Sequence, residues 1–98
     1  MVIEMAQFKM KVGVSEDEVL AASQEAQDGF LAKQKGYVSR ELLKSSEGEW
    51  VDIVHWETME DAQTAMNSFM GHPSTKKFGE VIDPSSIKMM HLEVVKKY

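Results

Sequence analysis

The sequence predicts an α+β fold of the ferredoxin-like kind, β-α-β-β-α-β, with a four-stranded antiparallel sheet and both helices on one face. Three observations lead there. Residues Trp50 to Trp56 are rich in β-branched and aromatic side chains, with Gly48 before them and a helix cap after, which marks a strand. Two amphipathic segments, each opened by a hydroxyl residue and acidic neighbours, follow strands and not one another. The strand before Trp50 leads into it through the short turn Ser46, Glu47 and Gly48, which makes the two a hairpin. Right-handed crossovers then set the first and third strands side by side in the centre of the sheet.

Taken in order, Val2 to Val12 is the first strand, stopped by Gly13. Glu4, Ala6, Phe8, Met10 and Val12 share one parity and are the expected helix-covered face; Ile3, Met5, Gln7, Lys9 and Lys11 share the other. Ser15 and Glu18 form a capping box, and Glu16, Asp17 and Glu18 suit the positive end of the helix dipole. The helix is expected over Glu16 to Gln34, with Val19, Ala22, Ser23, Ala26 and Phe30 as its buried stripe. Gly36 ends it, and Tyr37 to Ser45 is the second strand.

After the central strand, Thr58 to Asp61 caps a second helix whose stripe is Ala62, Ala65, Met66 and Phe69, closed by Gly71 and Pro73. Ser74 to Glu80 has room for one more helical turn carrying Phe78. Residues Asp83 to Ser86 form a loop, and Ile87 to Val95 is the last strand.

The central strand is apolar at Trp50, Val54 and Trp56 on one parity and at Val51 and Ile53 on the other. Such a strand needs cover on both faces. The helices supply one cover; the other calls for a partner, so a homodimer is expected. The 98 residues make a single domain, residues 1–98, with ordinary globular composition of 43% apolar and 28% charged residues. A net charge of −5 argues against a nucleic-acid surface. The absence of Cys removes a disulfide framework, thiolate metal sites and a Cys nucleophile. The acidic residue Glu4 close to the start is unlike a signal peptide, and no apolar run reaches membrane-spanning length. The expectation is a soluble cytoplasmic protein with no membrane and no nucleic-acid partner.

Several stretches carry a family resemblance: Gly36 and Tyr37 at the start of the second strand; Leu42, Leu43, Lys44 and Ser45 before the hairpin; Val54 to Thr58 leading into Glu60, Asp61 and Ala62; and His72, Pro73 and Phe78 after the second helix. On these, nearly the whole chain resembles the dimeric α/β-barrel superfamily, and within it the antibiotic-biosynthesis-monooxygenase-like domains. The resemblance implies a homodimer whose two sheets pack face to face, with a cleft in each subunit between sheet and helices. Some relatives oxidise aromatic polyketides with O₂ and neither metal nor flavin; others degrade haem; many have no known activity. The haem-degrading branch relies on an Asn, a Trp and a His that fall here at Ala6, near Ala65 and Met66, and near Thr75 and Lys76. None is present, so haem degradation is not expected. An RNA-recognition domain has the same topology but wants aromatic and basic residues on its third strand, which here carries Asp52.

Two functions from different classes follow. One is a cofactor-independent monooxygenase-like enzyme for an apolar or aromatic small molecule; the other is a non-catalytic dimer that binds a small ligand or serves as a structural module. If Phe8 pairs with Met89 and Met10 with Ile87, then Ala6 faces His91 and Glu4 faces Glu93. His91 between Glu4 and Glu93 is then the candidate general base, against the plain role of capping a polar sheet end. Glu4, Ala6, Phe8, Trp56, Phe69 and Glu93 are the expected substrate-binding residues. Trp50 and Trp56 also fit core or interface roles. Arg40 is expected to pair with Asp52, and His72 to meet the end of the second helix. The three His are scattered, and His91 with Glu93 supplies two ligands where a catalytic metal site wants three, so no metal and no cofactor are expected.

Overall fold

The element order is the one the sequence predicts. The computed structural model describes residues 1–98 and contains β1 (Val2–Phe8), α1 (Glu16–Gly29), a 3₁₀ turn (Leu31–Lys33), β2 (Tyr37–Lys44), β3 (Trp50–Trp56), α2 (Met59–Phe69), α3 (Lys76–Val81), a second 3₁₀ turn (Pro84–Ser86) and β4 (Lys88–Glu93). The four strands form one antiparallel sheet in the order β2-β3-β1-β4. This is a ferredoxin-like α+β fold.

Local chemistry sets the helix starts. The Ser15 hydroxyl accepts from the Glu18 N–H at 3.2 Å, and the Thr58 hydroxyl accepts from the Asp61 N–H at 3.0 Å. The Glu18 carboxylate reaches back to the Ser15 hydroxyl, 3.3 Å away, and not to the Ser15 backbone as a full capping box would. The first helix stops five residues short of the expected Gln34. At Phe30 the backbone leaves helical angles (φ −132°, ψ −67°), and both Phe30 and Leu31 bury their side chains. A continued helix would turn two successive side chains about 100° apart, so only one could enter the core.

β1 is also shorter than predicted. Past Phe8 the chain leaves β4 and pairs instead with the segment after α3: Met10 bridges Ile82, Lys11 N–H donates to the Val81 carbonyl, and Asp83 N–H donates to the Lys9 carbonyl. Lys9 N–H donates to the Ser86 hydroxyl at 2.9 Å. The 3₁₀ turn therefore occupies the place that Ile87 was expected to fill, and β4 begins at Lys88. Its register is shifted by two residues from the expected one: Glu4 lies opposite His91, Ala6 opposite Met89 and Val2 opposite Glu93. A two-residue shift keeps every side chain on its expected face.

The helix-covered face holds Val2, Phe8, Trp50, Asp52, Val54 and Trp56, all buried. Two core clusters rest on it. One gathers Val2, Phe30, Leu31, Val54, Trp56, Ala62 and Ala65; the other gathers Phe8, Val19, Ala22, Ala26, Trp50, Phe78 and Ile82. On the opposite face Ile3, Met5, Gln7, Val51, Ile53 and His55 stay half-buried, and Leu43, Met90 and Leu92 are exposed. No helix is long and apolar enough to cross a membrane.

Candidate functional site

Each strand sets a polar side chain on the middle of the helix-covered face: Arg40 from β2, Asp52 from β3, Glu4 from β1 and His91 from β4, while Lys44 and Glu93 lie on the same face at its ends. The registers place Arg40 opposite Val54, Val54 opposite Glu4, and Glu4 opposite His91, so three of the four lie in one row across the sheet. Asp52 sits in the neighbouring row, between Leu42 and Ala6.

The expected pairing of Arg40 with Asp52 is present and bidentate, Nε to Oδ1 at 2.8 Å and Nη2 to Oδ2 at 2.7 Å. Arg40 spends its remaining donors on α1: Nη1 on the Ser23 carbonyl at 3.1 Å and the Gln27 side-chain oxygen at 3.4 Å, Nη2 on the Ser23 hydroxyl at 2.9 Å. Gln27 in turn donates to the Tyr37 hydroxyl at 2.8 Å. The guanidinium also stands 5.4 Å from the Phe78 ring centre. Arg40 is thus fully used in fastening α1 to the sheet.

Glu4 has no comparable partner. Its side chain is 12% exposed and makes no hydrogen bond to the protein; its nearest polar neighbour is His91, with Nε2 at 3.9 Å from Oε1. That separation is too long for a hydrogen bond, and His91 Nε2 is itself buried without a partner. Burial, and secondarily the charge of Asp52, push the Glu4 carboxyl up from 4.5 to about 7.

Between the sheet and the helices lies a cavity of about 270 Å³, near the lower end of the ~300–1,000 Å³ usual for small-molecule sites. Glu4, Ala6, Phe8, Trp56 and Phe69 all line it. His91 and Glu93 do not. His91 stands behind Glu4, and Glu93, opposite Val2 at the sheet end, is exposed. The two-residue register shift replaces Glu93 with His91 as the neighbour of Glu4 and carries Glu93 out to the sheet end.

Residues not foreseen for the lining include Phe30, Phe78, Met66, Met70, Ile87 and Met89. Phe30 and Met66 were visible as stripe positions on their helices, but a stripe marks a buried face without saying which part of it stays unfilled. Trp50 belongs to the second core cluster, with Lys44 Nζ 5.6 Å from its ring centre, and does not reach the cavity. His72 packs on Phe30, ring centres 4.9 Å apart, and its Nδ1 accepts from the Ser74 N–H at 3.1 Å. It locks the turn after α2 and is not a dipole partner.

Comparison with known proteins agrees with this fold. The family described as antibiotic biosynthesis monooxygenase matches residues 1–80. No curated protein sequence matches the chain significantly. Among solved structures, SnoaB, a cofactor-independent oxygenase from Streptomyces nogalater, has 16% identity and a TM-score of 0.73 over 98% of this chain and 94% of its own. A candidate antibiotic biosynthesis monooxygenase from Bordetella bronchiseptica reaches a TM-score of 0.80 at 20% identity over 97% of both chains. MhuD, a haem degrader from Mycobacterium tuberculosis, gives 0.70 at 18% identity over 100% of this chain and 99% of its own. At these identities the structures speak for the fold alone.

Proposed function

Because the chain belongs to the antibiotic biosynthesis monooxygenase family, we propose that it is a cofactor-independent monooxygenase for an apolar, aromatic small molecule held between sheet and helices. The observation that carries this reading is the Glu4 carboxyl, raised to about 7, free of hydrogen bonds and opening on an apolar cavity. A base with a pKa near working pH is both available as carboxylate and willing to take a proton. Glu4 removes a proton from an activated ring methylene of the substrate, and the carbanion transfers an electron to O₂. Recombination and loss of the second hydrogen convert the methylene to a carbonyl. One oxygen atom ends in that carbonyl and the other in water.

His91, the base expected from the sequence, takes the next position along. Its Nε2 stands 3.9 Å behind Glu4 and receives the proton from it; catalytic contacts of this kind are often long in an empty site and tighten with substrate. The functional unit in this reading is a homodimer with the two sheets face to face. The half-buried Ile3, Met5, Val51 and Ile53, flanked by exposed Met90 and Leu92, support it.

Oxygen uptake with an anthrone, whose ring methylene is acidified by its carbonyl, tests the reaction. The parent protein is expected to consume O₂ and form the ketone, and Glu4→Gln to lose roughly a hundredfold in rate. A Glu4→Gln variant as fast as the parent overturns the assignment of the base. Anthrone binding without O₂ uptake leaves a ligand-binding module in place of an enzyme.

A further inference from the structure

The polar complement of the cavity has one sign. Its only charged lining residues are Glu4 and Asp52, and the helices present no charged group to it. Arg40 does not line it, being 5% exposed and turned to Asp52 and α1. Asp52 is therefore already matched by a guanidinium, while Glu4 faces the cavity with only the imidazole of His91 nearby on β4. Around Glu4 the walls carry five aromatic rings, Phe8, Phe30, Trp56, Phe69 and Phe78. Phe8 and Phe78 meet edge to face at 5.7 Å, as do Phe30 and Phe69 at 5.6 Å, so these rings are held in fixed orientations.

Aromatic faces with a carboxylate among them attract a cation and repel an anion. We infer that the preferred ligand of this cavity is an aromatic molecule bearing an ammonium group, with Glu4 as its counter-ion and the rings around it as the apolar wall. The inference rests on the reading of this cavity as the substrate site and narrows the substrate class to amine-bearing aromatics. It also accounts for the lack of any Lys, Arg or His in the cavity lining, which leaves no cation to hold a ligand's carboxylate. A bound ammonium would repay the desolvation of Glu4 and hold it as the carboxylate, the form in which it takes a proton from the substrate.

Three probes with one apolar body and three charges decide the matter: naphthylmethylamine, naphthylmethanol and naphthoic acid, measured by calorimetry and by ligand-detected NMR. At about pH 8, with Glu4 ionised, the amine is expected to bind about tenfold or more tighter than the alcohol, and the acid most weakly. At about pH 5.5 Glu4 is protonated, and the preference for the amine should shrink toward unity, with Asp52 still paired to Arg40. Glu4→Gln should show the small preference at both pH values. Alcohol or acid binding as tightly as the amine at the higher pH overturns the inference while leaving the cavity a ligand site. Failure of all three probes to bind overturns both the inference and the substrate-site reading. An amine preference that survives Glu4→Gln removes Glu4 as the counter-ion.

Discussion

A carboxyl group in an apolar cavity weakens the fold whenever it is ionised, and Glu4 is such a group. Its folded pKa of about 7 lies above the ordinary 4.5. Its favourable contribution is therefore fully present below about pH 4.5, is lost as the pH rises toward 7, and changes little beyond. Replacing it with a neutral isostere removes that dependence. Glu4→Gln should raise the denaturation midpoint relative to the parent at about pH 8 and match it near pH 4; equal midpoints at both pH values would show that Glu4 is solvated. Trp56 makes a different point. Its side chain is 0% exposed and packs in the first core cluster, edge to face with Tyr37 at 6.2 Å. Trp56→Ala should cost about 3–5 kcal/mol in chemical denaturation whatever ligand is present, and a variant that melts like the parent would mean that the ring is not a core element.

At the level of elements, the passage from α1 into β2 depends on Gly36. It has φ +82°, and a Cβ there would meet the Asp61 side chain, with Oδ2 at 2.2 Å and Cβ at 2.7 Å. Left-handed backbone alone costs a non-glycine residue about 1–2 kcal/mol, so Gly36→Ala should lose at least that much, read from urea unfolding. The sequence marked this glycine as a break before β2, although the helix it was expected to end stops earlier, at Gly29; both N-caps, the hairpin and the order of strands were legible, because each rests on near-neighbour chemistry. The two parities of β1 and β3 were legible as sets, but β3 is apolar on both, so which set meets the helices comes from the structure, with Phe8, Trp50, Val54 and Trp56 on the covered side. What stayed hidden was non-local. The end of α1 depends on Phe30 and Leu31 finding separate places in the core. The start of β4 depends on Ser86 and Asp83 tying the preceding turn to Lys9, nearly the whole chain away. That one attachment moved Glu93 out of the site and brought His91 up to Glu4.

For the molecule as a whole, the cavity lies where the two core clusters meet, taking Phe30, Val54 and Trp56 from one and Phe8, Phe78 and Ile82 from the other. The uncovered sheet face behind it is the surface for the proposed dimer. Ile53→Lys should leave the fold intact and shift sedimentation to a monomer at micromolar concentration; a parent protein that is already monomeric there would remove the dimer from the proposal. The row that joins Glu4 to His91 also bears on how the chain reaches this structure. β1 and β4 come from opposite ends of the sequence, so their pairing closes the longest loop and is expected to form late. A strand arriving two residues out of step would bury the same faces, and hydrophobicity would not reject it. It would, however, set Glu93 directly against Glu4, and like charges in facing positions repel. An ionised Glu93 set against Glu4 would thus weigh against a misalignment that the apolar pattern alone would accept.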